Sequence, residues 1–142
     1  MLIILTIMIA VGCNNKQKSN QIVVPKEVLS AFKAKFSEVK SEKWEKEADK
    51  FEAEFKLNGK ESSATFDVRG DLLETEQEIP KSELSKVITD YISTNYPNYE
   101  TSEASKIELL DGNIRFEAEL KNDKEKFDLI FDSSGKFLQK EK

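Results

Sequence analysis

The chain is 142 residues long, 35% charged and 38% hydrophobic, with a net charge of −5 at pH 7. Arg69 and Arg115 are its only arginines and no basic face emerges, which excludes a nucleic-acid partner. Histidine is absent and Cys13 is the single cysteine, so the commonest general base, the commonest metal ligand, an internal disulfide and a thiolate cluster are all excluded.

Leu2 to Val11, LIILTIMIAV, carries no charge. As a helix it would span ~15 Å, about half a bilayer core, which is too short for a transmembrane anchor and right for the apolar part of an export signal. Small residues close it at Ala10-Val11-Gly12-Cys13. The pattern resembles a bacterial lipoprotein signal, which predicts residues 1–12 as a signal peptide, cleavage before Cys13, and lipidation of the Cys13 thiol. The alternative is a buried apolar first strand with an inert cysteine. No Lys or Arg precedes the run and Ala10 stands where leucine is commoner, so a start upstream of Met1 is an open alternative. Asn14 to Gln21, NNKQKSNQ, is polar and without apolar period, and residues 13–24 are predicted to be a flexible tether.

Beyond the tether the chain repeats itself. Phe51-Glu52-Ala53-Glu54-Phe55-Lys56 recurs as Phe116-Glu117-Ala118-Glu119-Leu120-Lys121, and Phe66-Asp67-Val68-Arg69-Gly70-Asp71-Leu72-Leu73 as Phe131-Asp132-Ser133-Ser134-Gly135-Lys136-Phe137-Leu138. One offset relates both pairs, which chance does not readily supply. Upstream, Pro25-Lys26-Glu27-Val28-Leu29-Ser30 matches Pro80-Lys81-Ser82-Glu83-Leu84-Ser85 at a shorter offset, so the second copy holds about ten more residues before its FEAE strand. The first repeat is assigned to residues 25–79 and the second to 80–142.

Each copy opens on a proline suited to a first helical turn. Val28, Leu29, Phe32 and Phe36 predict one amphipathic helix; Leu84, Val87, Ile88, Tyr91 and Ile92 predict the other, ended by Pro97. Irregular strands are expected around Val39–Glu45 and Ser102–Leu110, the latter turned by Asp111-Gly112. Strict alternation then sends Phe51, Ala53, Phe55 and Leu57 to one side and Glu52, Glu54 and Lys56 to the other. The second copy sends Ile114, Phe116, Ala118 and Leu120 inward and Arg115, Glu117, Glu119 and Lys121 outward. Asn58-Gly59 and Asn122-Asp123 predict hairpin turns. Asp67 to Gly70 and Asp132 to Gly135 predict tight turns, with final strands from Leu72 to about Gln77 and from Phe137 onward. The fold class is α+β: two tandem units of a helix and four antiparallel strands, each helix covering an apolar sheet face and leaving the other face charged and wet.

A Pro-led helix, Trp44 on the first strand, an F-E-A-E-F strand and an F-D-x-x-G-x-L-L hairpin, all duplicated, resemble the PepSY-like or beta-lactamase-inhibitor-like periplasmic proteins of Bacteroidota. The resemblance spans about residues 24–142. It implies a tandem fold like that of the beta-lactamase inhibitor protein, two helix-capped sheets side by side, with an export signal, no known enzymatic activity and a largely unassigned molecular role. It supplies no inhibitory contact that matches a residue of this chain. The residues after Cys13 lack the acidic cluster that sends some Bacteroidota lipoproteins to the cell surface, which points to a periplasmic position.

The candidate binding face consists of Glu52, Glu54, Lys56, Arg115, Glu117, Glu119 and Lys121. Paired carboxylates ~7 Å apart along a strand have a spacing usable for acid–base work or calcium. An exposed outer face balanced by Lys56, Lys121 and Arg115 explains them as well. The Asp67–Asp71 and Asp132–Gly135 segments lack the closing ligands of calcium loops and read as turns. Trp44 reads as a core anchor or a half-exposed contact, and Tyr96-Pro97-Asn98-Tyr99 as the closure of the second helix over its sheet. Without histidine, with no serine in a G-x-S-x-G setting and no convincing Ser–Lys pair in an S-x-x-K setting, no nucleophile is activated, so a hydrolase is disfavoured. The expectation is a non-enzymatic, lipid-anchored module of the cell envelope that binds an envelope protein. The alternative is a small-ligand or calcium-binding envelope protein. No cofactor and no metal are expected.

Overall fold

The computed structural model describes residues 22–141. The predicted signal peptide, Cys13 and the tether up to residue 21 lie outside the described residues. The elements are α1 (Lys26–Lys35), β1 (Glu42–Glu47), β2 (Lys50–Leu57), β3 (Lys60–Asp67), β4 (Leu72–Glu78), a 3-10 turn (Lys81–Glu83), α2 (Lys86–Asn95), β5 (Glu100–Leu109), β6 (Ile114–Lys121), β7 (Lys126–Asp132) and β8 (Phe137–Glu141). No helix among the described residues is long and apolar enough to cross a membrane.

The two units are shown, but their sheets are not separate. All eight strands form one antiparallel meander in the order β1 to β8. The join is β4 on β5, paired from Glu74↔Leu109 to Glu78↔Ser105. Each unit keeps its own core on the helix side. Val28 and Phe32 of α1 pack with Phe51, Ala53, Phe55, Ala64 and Phe66; Ile88 and Ile92 of α2 pack with Ala118, Leu120, Phe127, Leu129 and Phe131. Between the two caps the same side of the sheet carries Ser62, Thr75, Gln77, Lys106 and Glu108, which line a groove of about 430 Å³. The units therefore share a ladder of backbone bonds and no continuous apolar core.

The helices start differently, which corrects the reading of Pro80. Pro25, at φ −57°, stands at the N-cap of α1, where its missing N–H goes unused. Pro80 precedes the 3-10 turn instead. Ser85 caps α2, its hydroxyl accepting from the Ile88 N–H at 3.4 Å, a role that serine fills well. Leu84 is buried ahead of α2, not on it, and Val87 faces solvent. The helix ends match closely: the Phe36 and Tyr96 N–H groups each bond back four residues at 2.8 Å, and Val39 and Tyr99 close the next turn on Phe36 and Tyr96. Trp44 and Ala104 likewise each face an alanine, Ala53 and Ala118. The ten extra residues thus divide equally between the 3-10 turn and a longer β5–β6 arm. That arm supplies Glu108, Leu109 and the turn residue Leu110 along β4.

The hairpins follow local chemistry. Asn58 and Gly59 both adopt left-handed φ, 52° and 81°, the two-residue turn that suits twisted strands. Asn122 takes a longer path than the two-residue turn expected of it: its side-chain oxygen accepts from the N–H groups of Lys124 and Glu125, closing a four-residue loop. Asp67 and Asp132 accept from the backbone two and four residues on, at 2.8 to 3.0 Å, so their carboxylates build the turns. Trp44 belongs to the core, edge-on to Phe32 at 5.4 Å, with its indole N–H buried and without a partner among the described residues. Tyr96 and Tyr99 both pack on Phe127 and close α2 over the sheet.

Candidate functional site

Side-chain alternation puts every predicted face residue on the side that no helix covers. The strand register then assembles them into rows. One row reads Lys43, Glu54, Ser63, Glu76, Ile107, Arg115, Asp132 across seven strands. A second reads Glu45, Glu52, Thr65, Glu74, Leu109. A third reads Glu78, Ser105, Glu117, Ile130, Gln139. A fourth sets carboxylates against one another on four successive strands: Glu103, Glu119, Asp128, Glu141. Like charges directly opposite destabilise a sheet, and here they recur, in Glu45 against Glu52 as well.

The face is not uniformly wet, which corrects the expectation of a fully solvated outer side. Ile107, Ile130, Thr65 and Ser105 are buried on it, with 3% of Ile130 exposed, although no helix lies above. The sheet curls toward this side. Glu52, Glu54, Glu61, Glu76, Glu78 and Glu103 line a groove of about 360 Å³ on the same side.

The curl desolvates the carboxylates at its centre. Burial, reinforced by Glu76, Asp128, Glu141 and Glu119, pushes Glu117 up to about 8. Burial also raises Glu76, against the neighbouring Ser105 hydroxyl that lowers it, and raises Asp128. Glu119 goes the other way: burial pushes it up, but bonds from Lys126 and from the Ser102 hydroxyl at 2.5 Å outweigh that and hold it below the ordinary range. The predicted balancing cations serve the ends of strands. Lys56 pairs with Glu61 at 2.8 Å and Lys121 with Glu100 at 3.3 Å, not with Glu52, Glu54 or Glu117. Arg115 stands in the first row between Ile107 and Asp132.

Glu74, Glu76, Glu78, Glu103 and Asp128 are face residues that the sequence reading did not single out. The alternation Leu73-Glu74-Thr75-Glu76-Gln77-Glu78 carried a signal for three of them. What it could not carry was the cross-strand register that sets them beside Glu52, Glu54 and Glu117.

The raised Glu117 links folding to pH. The folded chain holds a proton on Glu117 up to about pH 8, whereas an ordinary glutamate, at 4.5, has lost it. Stability from this group is therefore undiminished below the lower value and falls as pH rises through that window. Glu117→Gln is expected to raise the melting temperature at pH 8.5 by roughly 4–8 °C, corresponding to about 1–2 kcal/mol after discounting for partial exposure. At pH 4.5 the two proteins should melt together. Equal melting at both pH values would place Glu117 in open solvent.

The fold has solved counterparts in Bacteroides. A protein from Bacteroides eggerthii, described as a putative periplasmic protein, superposes with a TM-score of 0.73 at 12% identity, over 84% of this chain and 88% of that one. A DUF2874 family protein from Bacteroides ovatus gives 0.69 at 20% identity, over 84% and 87%. A BLIP-like protein from Bacteroides fragilis gives 0.65 at 21% identity, over 86% and 88%. At such identities the likeness is one of fold. No curated protein matches the chain in sequence. The profile of the family described as "Putative beta-lactamase-inhibitor-like, PepSY-like" matches residues 10–73 and 49–139, spanning both helix-and-sheet units, and the chain belongs to that family.

Proposed function

We propose that this chain is a non-enzymatic binding module of the periplasm, tethered to a membrane through lipidated Cys13, that holds a protein partner against the helix-free face of its sheet. The observation that carries the reading is the opposition of carboxylates across strands on a curved face that no other element among the described residues covers. A sheet tolerates such repulsion at a cost, and sites that break a local rule are commonly functional ones. Charge complementarity selects a partner surface rich in lysine and arginine. The inhibitor-like family description and the periplasmic description of the Bacteroides eggerthii protein support the module and its place. Raised carboxyls on an open sheet face, without a nucleophile beside them, do not make a catalytic centre. Among the described residues no group of three or more His, Cys, Asp or Glu is placed to hold a metal ion.

The test is affinity capture from the native envelope with the wild-type chain and with Glu52, Glu54, Glu117 and Glu119 all changed to alanine. The variant is expected to fold, because it loses repulsion and the Glu119 bonds to Lys126 and Ser102 rather than core packing, and to retain less than about a tenth of the captured partner, in line with losses of 1–2 kcal/mol for charged contacts. Undiminished capture would remove this face from the interaction. Cys13→Ala should shift the protein from the membrane to the soluble fraction and abolish palmitate labelling; a variant still on the membrane would overturn the tether.

A further inference from the structure

The repeat makes β8 the counterpart of β4, as Phe131 and Phe137 stand for Phe66 and Leu72. Yet β4 is paired on both edges, whereas β8 among the described residues pairs only with β7. On β4 the free edge is taken by β5. Beyond their last paired residues the Leu110 N–H donates to the Leu73 carbonyl at 2.8 Å, and Leu110 lines the groove beside α1 together with Leu72 and Phe36. On β8 no described residue takes the same flank. Leu138, the counterpart of Leu73, is 43% exposed, and Val87 on the neighbouring helix is 56% exposed. Between α2 and β8 runs a shallow groove of about 580 Å³. Tyr91 and Phe137 line it, their rings stacked at 5.1 Å.

We propose that the open edge of β8 and the groove beside α2 form a docking site for an extended strand of a partner protein. The strand adds antiparallel to β8 as β5 adds to β4, and a large apolar side chain at its end lies over Tyr91 and Phe137. Main-chain bonds supply the attachment and the pocketed side chain the selectivity. Charge narrows the partner further. Thr75 faces Glu108 across the β4–β5 ladder, and the position of Thr75 is held in β8 by Lys140, opposite Leu129 as Thr75 is opposite Ala64. An acidic residue two places before the apolar one therefore meets a lysine.

A second copy of this chain does not fit. The counterpart of β5 is β1, and the β4–β5 register carried over to β8 and β1 sets Glu141 against Glu47. β1 also ends at Glu47, where Ala48 turns left-handed at φ 53°, so it lacks both the length and the apolar tip of β5. Like charges at a strand edge are a recognised guard against self-pairing.

The probe is a synthetic peptide of residues 105–112, SKIELLDG, which carries the acidic and apolar residues in the required order. Titrated into the isotope-labelled full-length protein, it is expected to move the amide resonances of Phe137–Glu141, Val87 and Tyr91 saturably. Lys140→Pro should abolish those shifts. The β5-facing bonds of β4 fall on Leu73 and, beyond the strand, on Ile79, so by alternation the Thr75 and Lys140 N–H groups point to that edge, where proline is tolerated in an edge strand. If Lys140→Pro fails to fold, Leu138→Asp serves, and it should weaken binding at least tenfold. The proposal is overturned by no shifts at millimolar peptide, by shifts confined to Leu72–Glu78 (the peptide replacing β5), or by binding that both variants leave intact. Concentration-dependent dimerisation lost with Lys140→Pro would overturn it in favour of a second copy. None of these readouts involves the acidic face, so they stand apart from the test of that face.

Discussion

Phe32→Ala is expected to destabilise the first repeat by about 3–5 kcal/mol, the range for emptying a buried phenylalanine site. Phe32 is 2% exposed and lies at the centre of four rings: Phe36 and Phe55 at 5.2 Å, Trp44 at 5.4 Å and Phe66 at 6.4 Å. Its counterpart at the same place on α2 is Ile92, so the second core has no equivalent hub. A loss of this size is a large part of the ~5–15 kcal/mol that holds a domain folded. It should also fall unevenly, because the two buried cores are separate clusters joined by the β4–β5 ladder and by an open groove of mixed polar and apolar lining. Trp44, the single tryptophan, reports the first unit alone. In denaturant the Trp44 signal of the variant is expected to move well ahead of amide exchange in β6 and β7. Coincident loss of both signals would show that the strand ladder couples the units as firmly as a shared core, and a change below about 1 kcal/mol would mean that the site collapses around the missing ring.

The fold was legible where the physics is local. Alternation in Phe51–Lys56 and in Arg115–Lys121, the Asn58-Gly59 turn and the repeated F-D-x-x-G hairpins depend on neighbours in sequence, and each lies where its pattern predicts. The misplaced start of α2 shows the limit of matching short motifs. Pro80-Lys81 looks like Pro25-Lys26, but Ser85 provides the hydroxyl that caps the helix, so the apolar stripe begins later and Val87 rotates out to solvent. The site was less legible because it is made by register and curl. Glu117 reads as one more solvated glutamate until β4, β6 and β7 bring Glu76, Asp128 and their neighbours around it. One local signal of that burial does exist: Leu129-Ile130-Phe131 breaks the alternation of β7 with an unbroken apolar run, the mark of a strand covered on both faces. Read so, it places Ile130 under the candidate face before any register is known.

Gly70→Ala is expected to destabilise by about 2–4 kcal/mol, more than the same change at any other turn glycine, and the ordering tests why F-D-x-x-G is repeated. Gly59, Gly70, Gly112 and Gly135 share left-handed φ between 80° and 87°, so backbone strain alone would charge each about 1–2 kcal/mol. Their surroundings differ. A Cβ at Gly59 or Gly112 meets nothing within 4 Å, whereas at Gly70 it would lie 2.7 Å from the Glu27 carbonyl oxygen, in the first turn of α1. At Gly135 it would lie 3.0 Å from the Ser85 hydroxyl and from Val87 Cβ, at the start of α2. Both turns thus serve as seats for the start of a helix, and only a residue without a side chain lets the backbone come so close. At Gly135 the Ser85 hydroxyl can rotate aside and Val87 Cβ need give by only a few tenths of an ångström, while the closer Glu27 carbonyl at Gly70 can move only with the helix. The expected order of destabilisation is Gly70, then Gly135, then Gly59 and Gly112 together, read from urea midpoints of the four alanine variants. Four equal losses would mean that φ alone selects these glycines and that the helices do not rest on the turns.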